Sequence, residues 1–399
     1  MRPFEGSRLL LVVSGGIAAY KSAILLRRLS GSGAVVDVLL TSAAQRFVGA
    51  ATFEALSGRP VHTDLWERPL AHVELGRDSD LVVIAPATAN LLARLANGLA
   101  DDMATSTLLA ADCPVLACPA MNQRMWEHPA TRENIDRLRA RGVHVLGPAH
   151  GELAEGEVGH GRMVEPEVVL AHTGRLLERA SPLTGRKVVV TAGPTRTPLD
   201  PVRFLGNRSS GRMGWALAAS AWRRGADVVL IAGPTGREPP HGPRFVEVET
   251  SDEMLAALAR ELEEAAVLLM AAAVSDFLVE GPSPVKVKKE AVGSWQLPLV
   301  RGPDLLEGTR EQRRRRGILT LGFALETEDG AENALRKLQS KGMDFVALNE
   351  AGRMDRGVEA ETNQVTLIDA TGTAEELPLL SKQETAERLL DRLEEHLGG

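Results

Sequence analysis

The chain has 399 residues, 44% hydrophobic and 25% charged, with a formal net charge of -7, which implies two or three domains and excludes wholesale disorder. No apolar run reaches the roughly 20 residues a membrane helix needs, and Met1–Arg8 leads into a strand-like run without the apolar stretch of a signal peptide. Cys113 and Cys118 alone exclude a disulfide framework and fit a reducing, cytoplasmic setting, while the net negative charge gives nucleic acid no general attraction.

Apolar β-branched runs alternate with helical stretches, the pattern of parallel sheets with crossover helices. In the first half the strand-like runs are Leu9–Val13, Val35–Leu40, Leu81–Ile84, Val115–Cys118 and Val143–Leu146. Four of them run into small or polar tips: Ser14-Gly15-Gly16, Thr41-Ser42, Pro86–Asn90 and Pro119–Asn122. Ligand crevices in such sheets lie beyond the carboxyl ends of the strands, so the tips are expected to converge on one site. Gly151–Met163 has neither helix nor strand period and reads as a mobile flap. A helical stretch, Pro166 to Arg179, is followed by a linker at Ser181-Pro182 and Gly185, dividing the chain into domains 1–180 and 186–399.

The second half starts a new α/β series with strand-like runs at Lys187–Thr191, Val228–Ile231, Phe245–Val248, Val267–Met270, Ile318–Leu321, Phe345–Leu348 and Val365–Ile368. Val188–Thr195 and Val228–Thr235 share strand-end chemistry, but one partial match does not make a repeat. Arg313–Arg316 reads as the solvated end of a helix stopped by Gly317. The last helix, about Lys382 to His396, places Leu389, Leu390, Leu393 and Leu397 toward a core.

The Ser14-Gly15-Gly16 turn lets backbone N–H groups approach a phosphate at a helix start. It lacks the G-x-G-x-x-G spacing of a nicotinamide dinucleotide site. With His72, Pro86–Asn90, Pro119–Trp126 and the Gly-rich flap following in that order, residues 6 to 175 resemble the homo-oligomeric flavin-containing cysteine decarboxylases, in particular those acting on phosphopantothenoylcysteine. The resemblance implies a flavodoxin-like fold and an FMN site lined by Ser14, Gly15, Gly16, Ser42, Pro86, Thr88 and Asn90. It also implies His72 as the base near the substrate thiol, Asn122 as holder of the substrate carboxylate, and Met121, Met125 and Trp126 as apolar walls. Oxidation of the thiol by flavin gives carboxylate loss an electron sink. The family carries a proton-donating Cys in its flap where this chain has Ala154-Glu155-Gly156. Either Glu155 replaces it as acid, or Glu155 is solvated and another group or water protonates.

Thr191–Thr195 leads through Asp200-Pro201-Val202-Arg203 to Asn207–Gly214, a strand, a long polar loop and a helix opening on Ser and Gly. This pattern suits an anion at a helix start. With Ala271–Asp276, Lys286–Lys289, Pro303-Asp304, Gly322–Thr327, Lys337 and Lys341, residues 186 to 395 resemble the phosphopantothenate–cysteine ligases, with a Rossmann-like fold. The two resemblances occur in the order found in bacterial bifunctional enzymes. They imply activation of a carboxylate by CTP with Mg2+, then attack by the cysteine amine. Asn207 is implied to stabilise the acyl-nucleotide, Arg203 to contact the substrate phosphate and Lys286 the triphosphate. Asp276 serves the nucleotide or its metal, and Ala271, Ala272 and Ala273 approach the base. Pro303, Asp304, Leu305, Leu306, Phe323, Lys337 and Lys341 complete the nucleotide pocket. Thr197 and Leu325 depart from the usual Glu and Ala of that family. A trimeric flavin domain with sites between subunits and a dimeric ligase domain, together a dodecamer, are further implications. A ligase with an impaired decarboxylase half, and a flavoprotein-fold binding or regulatory protein, are the competing readings.

Overall fold

The structure, a computed structural model, describes residues 3–154, 156–178, 181–288, 295–326, 330–350, 360 and 362–398. The chain divides into two compact units, Met1–Glu178 and Arg179–Gly399.

The first unit is built on a six-stranded sheet in the order Val61–His62, Val35–Leu40, Arg8–Val13, Leu81–Ala87, Val115–Pro119, His144–Val145. Every pairing is parallel. The central strand is apolar at consecutive positions because helices cover both faces. Leu9, Leu11 and Val13 pack with Leu25, Leu26 and Leu29 of helix Ala19–Gly31 and Val169 of helix Pro166–Leu177. Leu10 and Val12 pack on the opposite face with Leu75, Leu91, Leu92, Leu108 and Leu138. Strand order reverses between Arg8–Val13 and Leu81–Ala87, the switch point where a doubly wound sheet opens its crevice.

Two details differ from the sequence reading. Val61–His62 is an edge strand too short to show a period. The Gly-rich stretch is ordered as an antiparallel hairpin, Ala149–Glu152 paired with Val158–Arg162. Its glycines permit close approach. A Cβ at Gly161 would overlap the Met121 carbonyl, and one at Gly159 the Gln123 side chain, while Met121 N donates to Gly161 O at 3.0 Å.

The second unit carries an eight-stranded sheet in the order Arg244–Glu247, Asp227–Ala232, Lys187–Ala192, Val267–Met270, Leu319–Glu326, Phe345–Glu350, Val365–Asp369, Ala374–Glu376. The first six run parallel and the last two join antiparallel. The similar segments at 188–195 and 228–235 lie on neighbouring strands in register, Thr191 opposite Ile231 and Ala192 opposite Ala232. Two short ribbons stand outside the sheet: Arg196–Pro198 with Phe204–Gly206, and Phe277–Val279 with Leu299–Arg301. Helix Lys382–Gly398 buries Leu389, Leu390 and Leu393, with Leu397 half-buried. Arg224 fastens it through Glu387 at 2.9 Å, Asp391 at 2.8 Å and Glu394 at 2.6 Å.

The basic run needs one correction. Gly317 ends helix Leu305–Arg316 in a left-handed conformation, as expected, and Arg314, Arg315 and Arg316 are exposed. Arg313 is only 2% exposed. It donates to the Lys341 and Gly342 carbonyls at 2.7 Å and to Leu306 O at 2.9 Å. The first two are carbonyls that the end of helix Gly330–Lys341 leaves without intrahelical donors, so the guanidinium is drawn inward.

Candidate active sites

In the first unit the strand tips enclose a cavity of about 800 Å³. Ser14 joins two tips: its hydroxyl donates to Pro86 O at 2.7 Å and accepts from Thr88 N at 3.0 Å. Thr88 in turn caps helix Ala89–Ala96. A Cβ at Gly15 would overlap Ala43, so the Ser14–Gly16 turn can close against the Ser42 loop only as glycine. Ser14, Gly15, Gly16, Ser42, Thr88 and Asn90 line this cavity, and so do Met121, Asn122 and Met125. Asn122 Oδ1 accepts from Arg124 N at 2.8 Å, which fixes the start of helix Gln123–Glu127. The hairpin contributes Glu152, Leu153, Ala154 and Arg162.

Other expected residues lie elsewhere. Pro86 is buried, offering its carbonyl to Ser14 rather than a wall to the cavity. Trp126, 6% exposed, belongs to the core, because the short helix turns it inward as it turns Met125 outward. His72 sits half-buried on helix Ala71–Asp78, outside the cavity lining, and its Nδ1 is buried without a hydrogen-bond partner among the described residues. Glu155 lies outside the described residues. Neither cysteine substitutes for a flap thiol: Cys118 is in the core, where burial pushes its thiol far up, and Cys113 is half-buried.

Sequence reasoning missed the cavity's charged lining. Lys21 is buried, donating to Met163 O at 3.0 Å and Glu165 at 2.9 Å. Arg162 shares the Glu165 carboxylate. Burial works against the charge of Glu165, but Lys21 and Arg162 hold its carboxyl below the usual range. Arg94 pairs with Asp102 at 2.6 Å. Burial again opposes that charge, and Arg94 with Thr105 holds it low. The one sequence signal was Lys21 itself, a cation among the buried positions of an amphipathic helix. Volume, cations and a helix start opening on Gly15-Gly16 suit a phosphorylated flavin.

In the second unit the Thr191–Thr195 tip and the segment after strand Val267–Met270 are stitched together. Ala271 N donates to Thr191 O at 3.2 Å, Ala272 N to Thr191 Oγ1 at 3.3 Å, Ala273 N to Gly193 O at 2.9 Å and Ser275 N to Thr195 Oγ1 at 2.9 Å. Asn207 Nδ2 donates to Val274 O at 2.7 Å, which brings Asn207 to the Ala271–Ala273 run. Thr197, at a departure from the family pattern, donates to Phe277 O at 3.2 Å. Asp276 and Lys286 are exposed. Arg203 pairs with Asp200 at 2.9 Å.

Asp304 caps helix Leu305–Arg316 through Leu306 N and Glu307 N, both at 3.1 Å, and pairs with Lys341 at 2.9 Å. Burial raises its carboxyl, while Lys341 and the cap donors outweigh this and hold it low. Lys341 is therefore engaged within the fold, whereas Lys337 on the same helix is exposed. Leu305 is core, because it begins the inward face of its helix. Pro303, Leu306 and Phe323 are half-buried. Among the described residues no group of three or more His, Cys, Asp or Glu could hold a metal ion. No helix of the described residues is long and apolar enough to cross a membrane.

A flavoprotein family profile matches residues 2–177, and the profile of the C-terminal domain of DNA/pantothenate metabolism flavoproteins matches residues 183–397. The coenzyme A biosynthesis bifunctional protein CoaBC of Mycobacterium tuberculosis is 46% identical over 402 residues, covering 97% of this chain and 96% of that one. The Bacillus subtilis protein of the same name is 41% identical over 391 residues, covering 96% of each. A crystal structure of the C-terminal domain of a CoaBC protein is 35% identical with a TM-score of 0.47, covering 55% of this chain and 99% of that one.

Proposed function

Because the chain belongs to the family of bifunctional coenzyme A biosynthesis proteins, we propose that it performs two consecutive steps, ligation in the second unit and decarboxylation in the first. The observation carrying this reading is that both family profiles match one chain, each over one of its two compact units. The chain is an enzyme of coenzyme A biosynthesis with a flavoprotein decarboxylase half and a ligase half.

In the ligase half, the carboxylate of 4'-phosphopantothenate attacks the α-phosphate of CTP, releasing pyrophosphate and leaving an acyl-cytidylate. The cysteine amine then attacks the acyl carbon, and CMP departs. Free carboxylates are poor acyl donors, so catalysis rests on neutralising phosphate charge and orienting the acyl group. Asn207 donates to the acyl-nucleotide and Arg203 to the substrate phosphate. Lys286, with Lys337, neutralises the triphosphate. Asp276 would help to hold a Mg2+ ion, which would neutralise phosphate charge on the nucleotide.

In the decarboxylase half, Ser14, Gly15, Gly16, Ser42, Thr88 and Asn90 hold FMN. When bound, FMN supplies the reversible oxidation of the substrate thiol that gives carboxylate loss its electron sink. Asn122 holds the leaving carboxylate against Met121 and Met125. His72 takes the thiol proton, an imidazole nitrogen being a common acceptor in general base catalysis. Its place outside the cavity lining supports a site shared between copies, in which His72 of one subunit serves the cavity of the next. Tyr20, at the cavity rim, and Ile24, one turn on along helix Ala19–Gly31, are exposed and support packing of flavin units into a trimer. Phe204, Leu205, Phe277, Leu299 and Val300, exposed on the two ribbons, support pairing of ligase units. A dodecamer satisfies both symmetries. The chain works in the cytoplasm on small molecules.

Supplying each half with its own substrate tests the reading. Phosphopantothenate, cysteine, CTP and Mg2+ should yield CMP and pyrophosphate, and phosphopantothenoylcysteine alone should yield CO2. Absence of both from flavin-loaded protein would overturn it.

A further inference from the structure

The strand-free segment that carries Lys286 is anchored in an unusual way. Ser283 N donates to Leu199 O at 2.9 Å, and four residues on, both backbone groups of Val287 are taken up by side chains. Val287 N donates to Asp200 Oδ2 at 3.2 Å, and Val287 O accepts from Arg203 Nη1 at 3.0 Å. The same Arg203 nitrogen donates to Asp200 Oδ2 at 2.9 Å. Asp200 Oδ1 meanwhile accepts from the N–H groups of Val202 and Arg203, both at 2.8 Å. The Asp200 side chain has 0% exposure. A single buried carboxylate therefore folds its own turn with one oxygen and holds the neighbouring segment with the other. Val287 follows Lys286 directly, and its N–H and C=O are paired here with side chains rather than with a strand.

We propose that Asp200 is a positioning residue for ligation: with Arg203 it clamps Val287 and so fixes where Lys286 meets the nucleotide triphosphate. This inference rests on the nucleotide-binding role assigned to Lys286 above. The Asp200 carboxylate is buried, and it acts through Lys286 and through Arg203, with which it pairs.

A double-mutant cycle on the full-length protein tests it, with CTP-dependent formation of phosphopantothenoylcysteine as readout. Asp200→Asn keeps the size but loses the charge and one acceptor. Its kcat/KM for CTP should fall roughly 10- to 100-fold, as expected for a lost charged hydrogen bond. KM for cysteine should stay unchanged. In a Lys286→Gln background, adding Asp200→Asn should cost no more than about 2-fold further, since residues acting as a unit are not additive. Val287→Pro deletes the N–H that reaches Asp200 and also restricts Lys286 before it; it should reproduce the CTP defect, carrying the test if Asp200→Asn does not fold. Losses that multiply in the double variant, or Val287→Pro with wild-type kinetics, would overturn the clamp. Lys286→Gln with wild-type kinetics would instead remove the role of Lys286, and the inference with it.

Discussion

The first six strands of each main sheet follow the same spatial order, third, second, first, fourth, fifth, sixth, yet the two candidate sites are held together differently. In the first, strand tips and a hairpin meet by close backbone approach, with Gly15, Gly159 and Gly161 leaving room and the Ser14 hydroxyl bridging two tips. In the second, close approach recurs at Gly214 and Gly233, and the side-chain carboxylates of Asp200 and Asp304 hold loops as well. A shared sheet fixes where a crevice opens. The means of holding each loop decides how it fails: steric bulk at Gly161 displaces the hairpin of the first unit, and loss of charge at Asp200 or Asp304 frees a loop of the second.

The largest expected effect separates the units. Gly161→Val pushes a side chain into the Met121 carbonyl and should lower decarboxylation about 10- to 100-fold, since overpacking of this kind costs about 1–3 kcal/mol. Ligation by the same protein should be unchanged, and a parallel loss of both activities would dissolve the contrast. Next is Arg313→Met, which strands buried carbonyls at a helix end and should destabilise the ligase unit by about 2–4 kcal/mol in denaturant titration.

Asp304→Ala removes a cap and an ion pair and should cost about 1–2 kcal/mol at neutral pH. The sign of its pH dependence follows from a folded-state pKa below the unfolded value of about 3.9. Its contribution is present above that value and is lost as pH falls through the lower, folded one. The gap between Asp304→Ala and wild type should therefore close in strong acid, and a gap constant with pH would contradict the ion-pair account. A further pH effect belongs to Lys382, whose ammonium burial lowers to about 8. The unfolded chain binds more protons between pH 8 and 10.5, so stability should rise with pH across that window. The rise should flatten in Lys382→Met, as read by thermal melting at a series of pH values.

Much of this was legible in the sequence. Runs such as Leu9–Val13 and Val267–Met270 show their strands because sheets covered on both faces are apolar without interruption. The motif residues Ser14, Thr88 and Asn122 meet at one cavity because strand ends in a doubly wound sheet share one edge. What escaped was pairing across distance. Lys21 with Glu165, Arg94 with Asp102, and Asp200 with Val287 leave no local period to detect. The hairpin escaped because glycine carries no hydropathic alternation, although its alternate placement at 159 and 161 is what seats the strand. Arg313 escaped because three neighbouring arginines of the same run do face solvent.

The central claim, that one chain makes the amide and then removes the carboxylate, is tested most directly in a single vessel. Purified protein loaded with FMN is given phosphopantothenate, cysteine, CTP and Mg2+, and products are followed by mass spectrometry, with Glu155→Gln alongside. The account predicts CMP, CO2 and saturated 4'-phosphopantetheine from wild type, with an unreduced enethiol accumulating in Glu155→Gln if that residue supplies the proton. Phosphopantothenoylcysteine accumulating without CO2 would contradict the account, leaving a ligase attached to a silent flavin fold.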